Sequence, residues 1–352
     1  EPGKPLSFLD AHIQCGNSLI GVTPGLDIKE IPDHAFQPVT GDDKATATGL
    51  RRRNKKEREG QLALDFAGKE QEDVTAQTAA WRAQQMAVLG ASAEDDVAQV
   101  HAKETAYAAY LKSEKYRWSR LECDVWTAAF FWPMAKGDPT TAAAPTQAVL
   151  QDVRAGKLKR HEELLREVRR IAKRNQFFHW ALQYPDVFQR EEGGFDVELM
   201  NPPWDQVQMD AREYFAVSAP GIANAPNMAA REKKLQQLRL EDPFLFEGYQ
   251  QASINIDKLK QFIHECGRFP LSGYGRLNLA SLFVELTGQI ISNDGAVGIV
   301  VPTAIATDTF NQFLFQYLVS SRTLHSLFSF ENEDFLFPAV HHAMKFCLLT
   351  VG

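Results

Sequence analysis

The segment FDVELMNPPW, which ends at Trp204, places the strongest constraint on what this chain can fold into. Phe195 to Met200 reads as a short strand of mainly apolar residues, and Asn201 and a double proline follow it directly. Proline lacks the backbone N–H that a sheet requires, so Pro202 and Pro203 end the strand and turn the chain outward. Open α/β sheets bind ligands at the carboxyl ends of their strands, so the sequence predicts a ligand-binding loop at 201–204.

The sequence beyond this loop alternates between helical and strand-like segments. A helix precedes the strand GAVGIVVPTAI, then come the helix NQFLFQYLVSS and the strands LHSLFSF and MKFCLLTV. This order predicts an α/β fold with a mainly parallel sheet and covering helices. Near the beginning, SFLDAHIQCGNSLIGV alternates apolar and polar residues and breaks at Gly16 and Asn17, which predicts a short strand running into a turn.

Long stretches between these segments have the composition of helices. The stretch 60–135 is rich in Ala, Gln, Glu and Lys, and a second helix at 157–174 carries basic residues interleaved with glutamates, as on a solvated helix surface. A further helical insertion follows the double proline, with its clearest helix at 229–240. The polar stretch 40–60, which contains Arg51 to Arg58, is interpreted as a solvated or disordered linker or loop, with contact to the DNA backbone as the alternative for its basic cluster.

Composition excludes several classes of protein. The net charge of -7 argues against a protein that coats nucleic acid by bulk attraction, although it allows a local basic groove. The 4 cysteines form no CxxC pair, which predicts neither a disulfide framework nor a zinc site and fits a reducing cytoplasm. No apolar run is long enough to span a bilayer. His341 and His342 are expected on opposite faces of a strand, so no metal site is predicted.

The 201–204 loop has the residues that methylation of an aromatic amine requires. Such an amine is a poor nucleophile because its lone pair is delocalised into the ring. The Asn201 side-chain carbonyl and a backbone carbonyl beside a proline can accept its hydrogen bonds, which favours a tetrahedral nitrogen able to attack a sulfonium methyl. Trp204 offers a stacking face to a flipped base, worth about 1 to 3 kcal/mol, although a core or rim aromatic is the alternative interpretation.

Several segments resemble one family of enzymes. FHWALQYPDVFQREEGGFDVELMNPPWDQV closely resembles the motif IV region of the large adenine-N6 DNA methyltransferases of type IIG restriction-modification enzymes and of BREX and DISARM phage-defence systems. GRLNLASLFVELTGQIISNDGAVGIVVPTAI is similar to motifs V and VI, FENEDFLFPAVHHAMKFCLLT to the strand pair that holds motif VIII, and FLDAHIQCGNSLIG to motif III. The resemblance covers most of the chain apart from about residues 40 to 115.

This resemblance implies a Rossmann-like class I methyltransferase sheet with large helical insertions. Residues 1–39 would be the motif III part of the core, 40–175 a mainly helical insertion with a basic linker, and 176–352 the core with motifs IV to VIII and a helical insertion at about 205–265. The implied reaction is S-adenosyl-L-methionine-dependent methylation of adenine N6, flipped out of double-stranded DNA, in bacterial restriction-modification or phage defence. Cytoplasmic localisation follows, with other defence-system subunits as further partners.

The family's base-binding residues map onto this sequence at matching motif positions. Asn201 and Pro202 would bind the target amino group, and Pro203 would stiffen the loop. Trp204 would stack on the flipped base, and Phe337, in the Phe-Pro of the motif VIII region, would supply a second stacking face. Asp205 and Asp210 follow the loop, but no nuclease activity is expected from them.

The cofactor-binding residues are fewer. Gly16 and Asn17 would meet the cofactor adenine where many relatives have Asp, and Phe283 would present an aromatic ring to the cofactor, with plain core packing as its alternative. The sequence contains no glycine-rich turn after a first strand of the kind that holds the methionine end of the cofactor. The resemblance therefore implies that motif I is absent and that the cofactor site of this chain alone is incomplete, which would leave it inactive.

Two other functions stay open. Protein glutamine methyltransferases share an Asn-Pro-Pro-aromatic loop, but they are compact and lack long helical insertions. A non-catalytic DNA-binding or assembly subunit of a defence complex would keep the fold without the cofactor, which the missing motif I permits.

Overall fold

The computed structural model describes residues 5–62, 68–338 and 340–352. The chain belongs to the α/β class, mostly helical with a small mixed sheet. The helices of the described chain are α1 (Lys44–Leu62), α2 (Gly68–Ala91), α3 (Val97–Lys112), α4 (Glu114–Phe131), α5 (Pro139–Ala142), α6 (Gln147–Arg154), α7 (Glu162–Arg174), α8 (Trp180–Gln183), α9 (Pro185–Phe188), α10 (Ala211–Tyr214), α11 (Pro220–Ala223), α12 (Met228–Glu241), α13 (Pro243–Glu265), α14 (Leu279–Ile290), α15 (Ala304–Thr307) and α16 (Gln312–Ser320).

The sheet has four strands in the order β1-β2-β4-β3. These are β1 (Phe195–Met200), β2 (Ile291–Pro302), β3 (Leu324–Glu331) and β4 (Lys345–Val351). Only the β1–β2 pair is parallel, whereas β4 runs antiparallel to both β2 and β3. The expectation of a mainly parallel sheet was therefore wrong. Parallel neighbours need a long crossover, usually a helix, and none of the described residues between β3 and β4 (332–338 and 340–344) is helical.

The two faces of the sheet have opposite environments. On one face, Val297, Ile299 and Leu349 are buried in a cluster with residues of α14 and α16. On the other face, Leu199 of β1 is 81% exposed and Phe328 of β3 is 62% exposed. The strand register places these two residues on one face of the sheet, which the helices of the described chain leave largely uncovered.

A large core holds the helical region together. Trp126 and Phe130 of α4 contact Phe262 of α13, with ring centroids 6.4 Å and 5.2 Å away respectively. All three side chains are almost completely buried, and α7 also packs on α4 through buried leucines. A separate small cluster around Phe215 and Leu235 joins α10 to α13. The described residues of the segments 60–135 and 205–265 are mainly helical, as predicted.

The stretch 40–60 is not a loop, because most of it belongs to α1. Ala47, Leu50 and Asn54 of α1 are buried at helical spacing, which attaches the helix to the core. Arg58 reaches Asp33 at 2.8 Å, so part of the basic cluster forms ion pairs within the chain. The solvated linker was therefore a wrong prediction, since a narrow buried stripe is enough to fix a helix that is otherwise highly charged.

The predicted strand near Gly16 and Asn17 does not form either. Asn17 makes one isolated parallel bridge with Phe177, and the backbone continues in this pairing because Phe178 N–H donates to the Ile20 carbonyl at 2.7 Å. The turn after it is present, but the segment lies against 177–180 and outside the four-stranded sheet. In the ranges that the structure describes, no helix is both long and apolar enough to cross a membrane.

Candidate functional site

The 201–204 loop lies at the edge of the sheet where β1 and β2 end and β4 begins. It follows the carboxyl end of β1, and β2 ends at the same edge because the two strands are parallel. β4 begins at this edge too, since Phe346 is paired with Pro302 at the end of β2. The segment that carries Phe337 therefore arrives beside the loop, as the predicted base-binding site requires.

Trp204 is fixed within the loop by hydrogen bonds on both its side chain and its backbone. Its indole Nε1–H donates to the Val300 carbonyl at 3.2 Å, and its own carbonyl accepts from Asn278 Nδ2 at 3.1 Å. The chain after Trp204 pairs with the segment before α14, because Leu279 N–H donates to the Asp205 carbonyl at 2.9 Å. The half-buried indole ring is therefore held in one orientation.

Trp204 and Phe337, the two predicted stacking residues, are in direct contact. Their ring centroids are 5.3 Å apart with planes at 70°, an edge-to-face arrangement. Phe346 lies beneath them, 6.2 Å from Trp204 and 5.0 Å from Phe337. We call these three rings the aromatic cluster. The structure brings the predicted pair together, but in this edge-to-face contact the two rings do not form an open slot for a base.

A buried asparagine organises the loop that carries Phe337. Asn332 is 0% exposed, and its Oδ1 accepts from Phe337 N–H at 3.0 Å. Its Nδ2 donates to the carbonyls of Phe337 at 3.1 Å and of Val340 at 3.0 Å. One side chain therefore closes the turn that places Phe337 against Trp204.

Asn201, by contrast, is exposed and available. Its side chain forms no hydrogen bond with any described residue, while the following Pro202 is buried and Pro203 is exposed. The buried proline anchors the loop, and the prolines restrict its backbone. The arrangement therefore presents an amide oxygen and nitrogen at the sheet edge beside the aromatic cluster, ready to bond a ligand.

A cavity of about 40 Å³ lies next to the loop, lined by Gln206, Asn278 and Asn311, with Arg276 and Phe310 on its walls. A single water needs at least about 10–15 Å³ of such volume, so this space accepts about three waters rather than a nucleobase. Arg276 stands over the Phe310 ring at 6.0 Å. A base would therefore have to occupy the exposed side of the loop or displace one of these groups.

The sequence interpretation did not single out Glu198, which lies on β1 shortly before Asn201. It is 9% exposed, and neither carboxylate oxygen has a hydrogen-bond partner among the described residues. Burial in this apolar environment raises the pKa of Glu198 to about 7. The detectable signal was a carboxylate between two apolar residues, Val197 and Leu199, within the strand. Asn278 and Asn332 were missed because their roles depend on distant partners.

Gly16 and Asn17 have local structural roles. The Asn17 Oδ1 accepts from Leu19 N–H at 3.1 Å, and a Cβ on Gly16 would come within 2.5 Å of the Phe178 ring. The buried Arg268 holds the same segment, because its Nη1 donates to the carbonyls of Leu19 at 2.9 Å and Gly21 at 3.0 Å. Burial lowers the pKa of Arg268 to about 10.

Phe283 packs on α14 between the helical core and the sheet cluster. Across the described ranges, no hydrogen bond or ring contact joins it to Gly16, to Asn17 or to the 201–204 loop. The structure therefore brings the predicted base-binding residues together but does not bring the predicted cofactor-binding residues together. The cofactor assignments stay predictions.

A second, larger cavity lies at the opposite end of the sheet. It encloses about 590 Å³ and is lined by residues at the start of β2, the end of β4 and the segments around Thr23 and Arg268. Its charged groups are already bonded: Glu285 accepts from Leu271 N–H at 2.9 Å and Ser272 N–H at 2.7 Å, and Arg268 binds backbone carbonyls. Its size favours this cavity as a ligand-binding site, but the predicted base-binding residues lie at the other edge of the sheet.

His341 and His342 precede β4 rather than lying on it, so the expectation that a strand would separate them was wrong. Their rings are 4.4 Å apart. Among the described residues, no group of three or more His, Cys, Asp or Glu is placed to hold a metal ion.

No protein-family model, no curated protein and no solved structure matches this chain.

Proposed function

We propose that this chain carries the target-base pocket of an S-adenosyl-L-methionine-dependent DNA methyltransferase that acts on adenine N6. The observation that carries this proposal is the 201–204 loop at the end of a parallel strand. There the exposed, unbonded Asn201 stands beside the contact between Trp204 and Phe337 at 5.3 Å. A hydrogen-bond acceptor next to stacking surfaces is the combination that methylation of a base amine requires.

The residues of the chain have distinct roles in the proposed reaction. The Asn201 Oδ1 and the Pro202 carbonyl accept hydrogen bonds from the adenine amino group, which localises the nitrogen lone pair for attack on the methyl group. Trp204 stacks on the flipped base, and Phe337 moves from its edge contact to cover the other face. When bound, S-adenosyl-L-methionine supplies the methyl group on a sulfonium. Pro203 limits loop motion, so little entropy is lost on binding.

The aromatic cluster favours a base over a glutamine side chain as the substrate. A glutamine amide offers a small planar surface, whereas an adenine ring gains stacking energy of about 1–3 kcal/mol from each aromatic face. Two aromatic side chains at one loop are therefore better matched to a nucleobase. The reaction would take place on bacterial DNA in the cytoplasm, in restriction-modification or phage defence.

We also propose that the four strands belong to a Rossmann-like sheet that continues beyond β1. Strand β1 has no neighbour on its outer edge within the described chain, and Val197 and Leu199 are 65% and 81% exposed. Parallel strands are normally covered on both faces, which supports further strands and helices at this edge. These would also supply the methionine end of the cofactor site.

The test is transfer of a labelled methyl group from S-adenosyl-L-methionine to mixed-sequence duplex DNA by the full-length protein. Label is expected in N6-methyladenine, and Asn201→Ala should lower the rate at least about a hundredfold, as loss of an oriented charge-stabilising group does. Asn224→Ala is the matched control, because Asn224 is also exposed and lies outside the site. Label in protein glutamine, or equal rates in both variants, would contradict the proposal.

A non-catalytic DNA-binding subunit is the second candidate, and one observation favours it. The predicted cofactor residues Gly16 and Asn17 are engaged in local packing, with the Asn17 side chain bonded to Leu19 N–H at 3.1 Å. Under this function, DNA would bind and protect 201–204 without any methyl transfer. Duplex DNA binding that is lost in Asn201→Ala, with no transfer by the wild type, would identify this function.

A further inference from the structure

Asn278 lies directly before α14, and its side chain forms one hydrogen bond with the helix and one with the 201–204 loop. The Oδ1 accepts from Ala280 N–H at 2.9 Å and so caps the amino end of the helix. The Nδ2 donates to the carbonyl of Trp204 at 3.1 Å. One amide therefore joins the base-binding loop to the first turn of α14.

Backbone contacts extend this connection on both sides of Asn278. Val207 N–H donates to the Leu277 carbonyl at 3.0 Å, and Leu279 N–H donates to the Asp205 carbonyl at 2.9 Å. The loop and the start of α14 thus form a short antiparallel pairing around the Asn278 side chain. Asn201 remains free, while the Trp204 end of the loop is fixed.

The helix joined in this way also carries Phe283, about one turn beyond Leu279. Methyl transfer requires the reacting atoms about 3–3.5 Å apart, and a misplacement of about 1 Å can cost a hundredfold in rate. A link between the loop that binds the base and the helix expected on the cofactor side would set this separation. We propose that Asn278 is a positioning residue that fixes the 201–204 loop relative to α14; this rests on the proposed methyl transfer.

Capping alone is the simpler role for Asn278, and the two roles can be separated. Asn278→Asp keeps the acceptor for Ala280 N–H but lacks the donor for the Trp204 carbonyl. Asn278→Ser keeps a capping oxygen without adding charge, and its shorter side chain lacks the amide that reaches the Trp204 carbonyl. Asn227→Asp is the matched control, because Asn227 caps α12 by accepting from Ala230 N–H at 2.8 Å. No donor bond of Asn227 joins it to a residue in the described part of the chain.

The first measurement is steady-state methyl transfer to duplex DNA by the full-length protein, as the wild type and with each of these substitutions. Asn278→Asp and Asn278→Ser are expected to lower kcat between about tenfold and a hundredfold, with KM for DNA and for S-adenosyl-L-methionine within about twofold. Asn227→Asp should retain the wild-type kcat. Wild-type kcat in both Asn278 variants, or a rise in KM alone, would overturn the positioning role.

Amide hydrogen exchange in the substrate-free protein tests the same link independently of activity. The amides of Val207 and Leu279 are expected to exchange at least about tenfold faster in both Asn278 variants and to be unchanged in Asn227→Asp. Unchanged exchange in the Asn278 variants would overturn the inference whatever the activity. Faster exchange in a protein that transfers no methyl group would overturn the catalytic role together with the proposed function, and would leave a purely structural link.

Discussion

The helical region and the sheet region treat buried charge in different ways. In the helical region, Lys258 of α13 lies 2.6 Å from Asp42, and both side chains are almost fully buried. In the sheet, Glu198 is equally buried but has no partner among the described residues. A paired buried charge is compatible with a finished core, whereas an unpaired one requires protonation or a missing donor.

The apolar surfaces show the same contrast. Trp126, Phe130 and Phe262 pack against one another with almost no exposure, so the helical core is closed. Leu199 and Phe328 lie on a sheet face that the described helices do not cover. The comparison teaches that the helical region closes its aromatic core and pairs the buried Lys258, whereas the sheet region leaves Glu198 without a partner among the described residues and Leu199 exposed, both on β1 shortly before the 201–204 loop.

The largest effect is expected from breaking the buried ion pair. Lys258→Ala leaves Asp42 buried and unpaired, which should lower the free energy of unfolding by about 3–5 kcal/mol. Urea denaturation measures this loss. Lys260→Ala is the control, because Lys260 forms a partly exposed pair with Asp257 at 3.5 Å and should cost less than about 1 kcal/mol. Equal losses of unfolding free energy in the two variants would show that the buried ion pair contributes no more than an exposed one.

Glu198→Gln should raise the free energy of unfolding at neutral to alkaline pH, whereas Lys258→Ala should lower it. Because the pKa of Glu198 is raised to about 7 in the folded state, the unfolded chain ionises first as pH rises. Its contribution to stability is therefore full at low pH and is lost progressively between about pH 4.5 and 7, by about 3 kcal/mol in total. Glu198→Gln removes this dependence and should raise the free energy of unfolding at pH 8 by about 1–3 kcal/mol.

The measurement for Glu198 is urea denaturation from pH 4 to pH 8. Asp294→Asn provides the control, because it also replaces a carboxylate with an amide but at an exposed position on β2, and it should change the free energy of unfolding at pH 8 by less than about 0.5 kcal/mol. If wild type and Glu198→Gln lose stability in parallel across this range, Glu198 has a partner and the contrast with Lys258 disappears.

Local sequence signals predicted the parts of the structure that depend on neighbouring residues. The prolines at 202 and 203 end β1 where expected, and the predicted helices at 229–240 and 311–321 correspond to α12 and α16. The same logic missed α1, since its buried stripe consists of Ala47, Leu50 and Asn54. A small, a large and a polar residue do not produce a clear apolar period.

The parts that depend on distant partners could not be predicted from the sequence. The insertion of β4 between β2 and β3 is a choice among strand pairings that no local pattern encodes. Asn278 and Asn332 resemble ordinary turn residues until their partners, Trp204 and Phe337, are known. The resemblance placed Trp204 and Phe337 in one site, but their edge-to-face contact is a property of the folded chain.

Asn332→Ala tests whether the sheet region, like the helical region, depends on a buried polar side chain for its stability. This region leaves Glu198 unpaired, yet Asn332 is fully buried and fully bonded to the loop that carries Phe337. Its removal should cost about 1–2 kcal/mol in urea denaturation, because several buried bonds are lost together. Asn175→Ala, which breaks one half-buried bond to the Ile171 carbonyl, should cost less than about 1 kcal/mol. Equal costs would show that the Phe337 loop is not held by Asn332.

The smallest effect is expected on the uncovered face of the sheet. Leu199→Ser replaces a side chain that is 81% exposed, so the free energy of unfolding should change by less than about 0.5 kcal/mol. Leu349→Ser, on the covered face with 0% exposure, should cost at least about 2 kcal/mol because it opens a cavity beneath α14 and α16 and buries a hydroxyl. Both are measured by urea denaturation of the isolated chain. A large loss of unfolding free energy in Leu199→Ser would mean that this face of the sheet is already covered. The contrast with the closed helical core would then disappear.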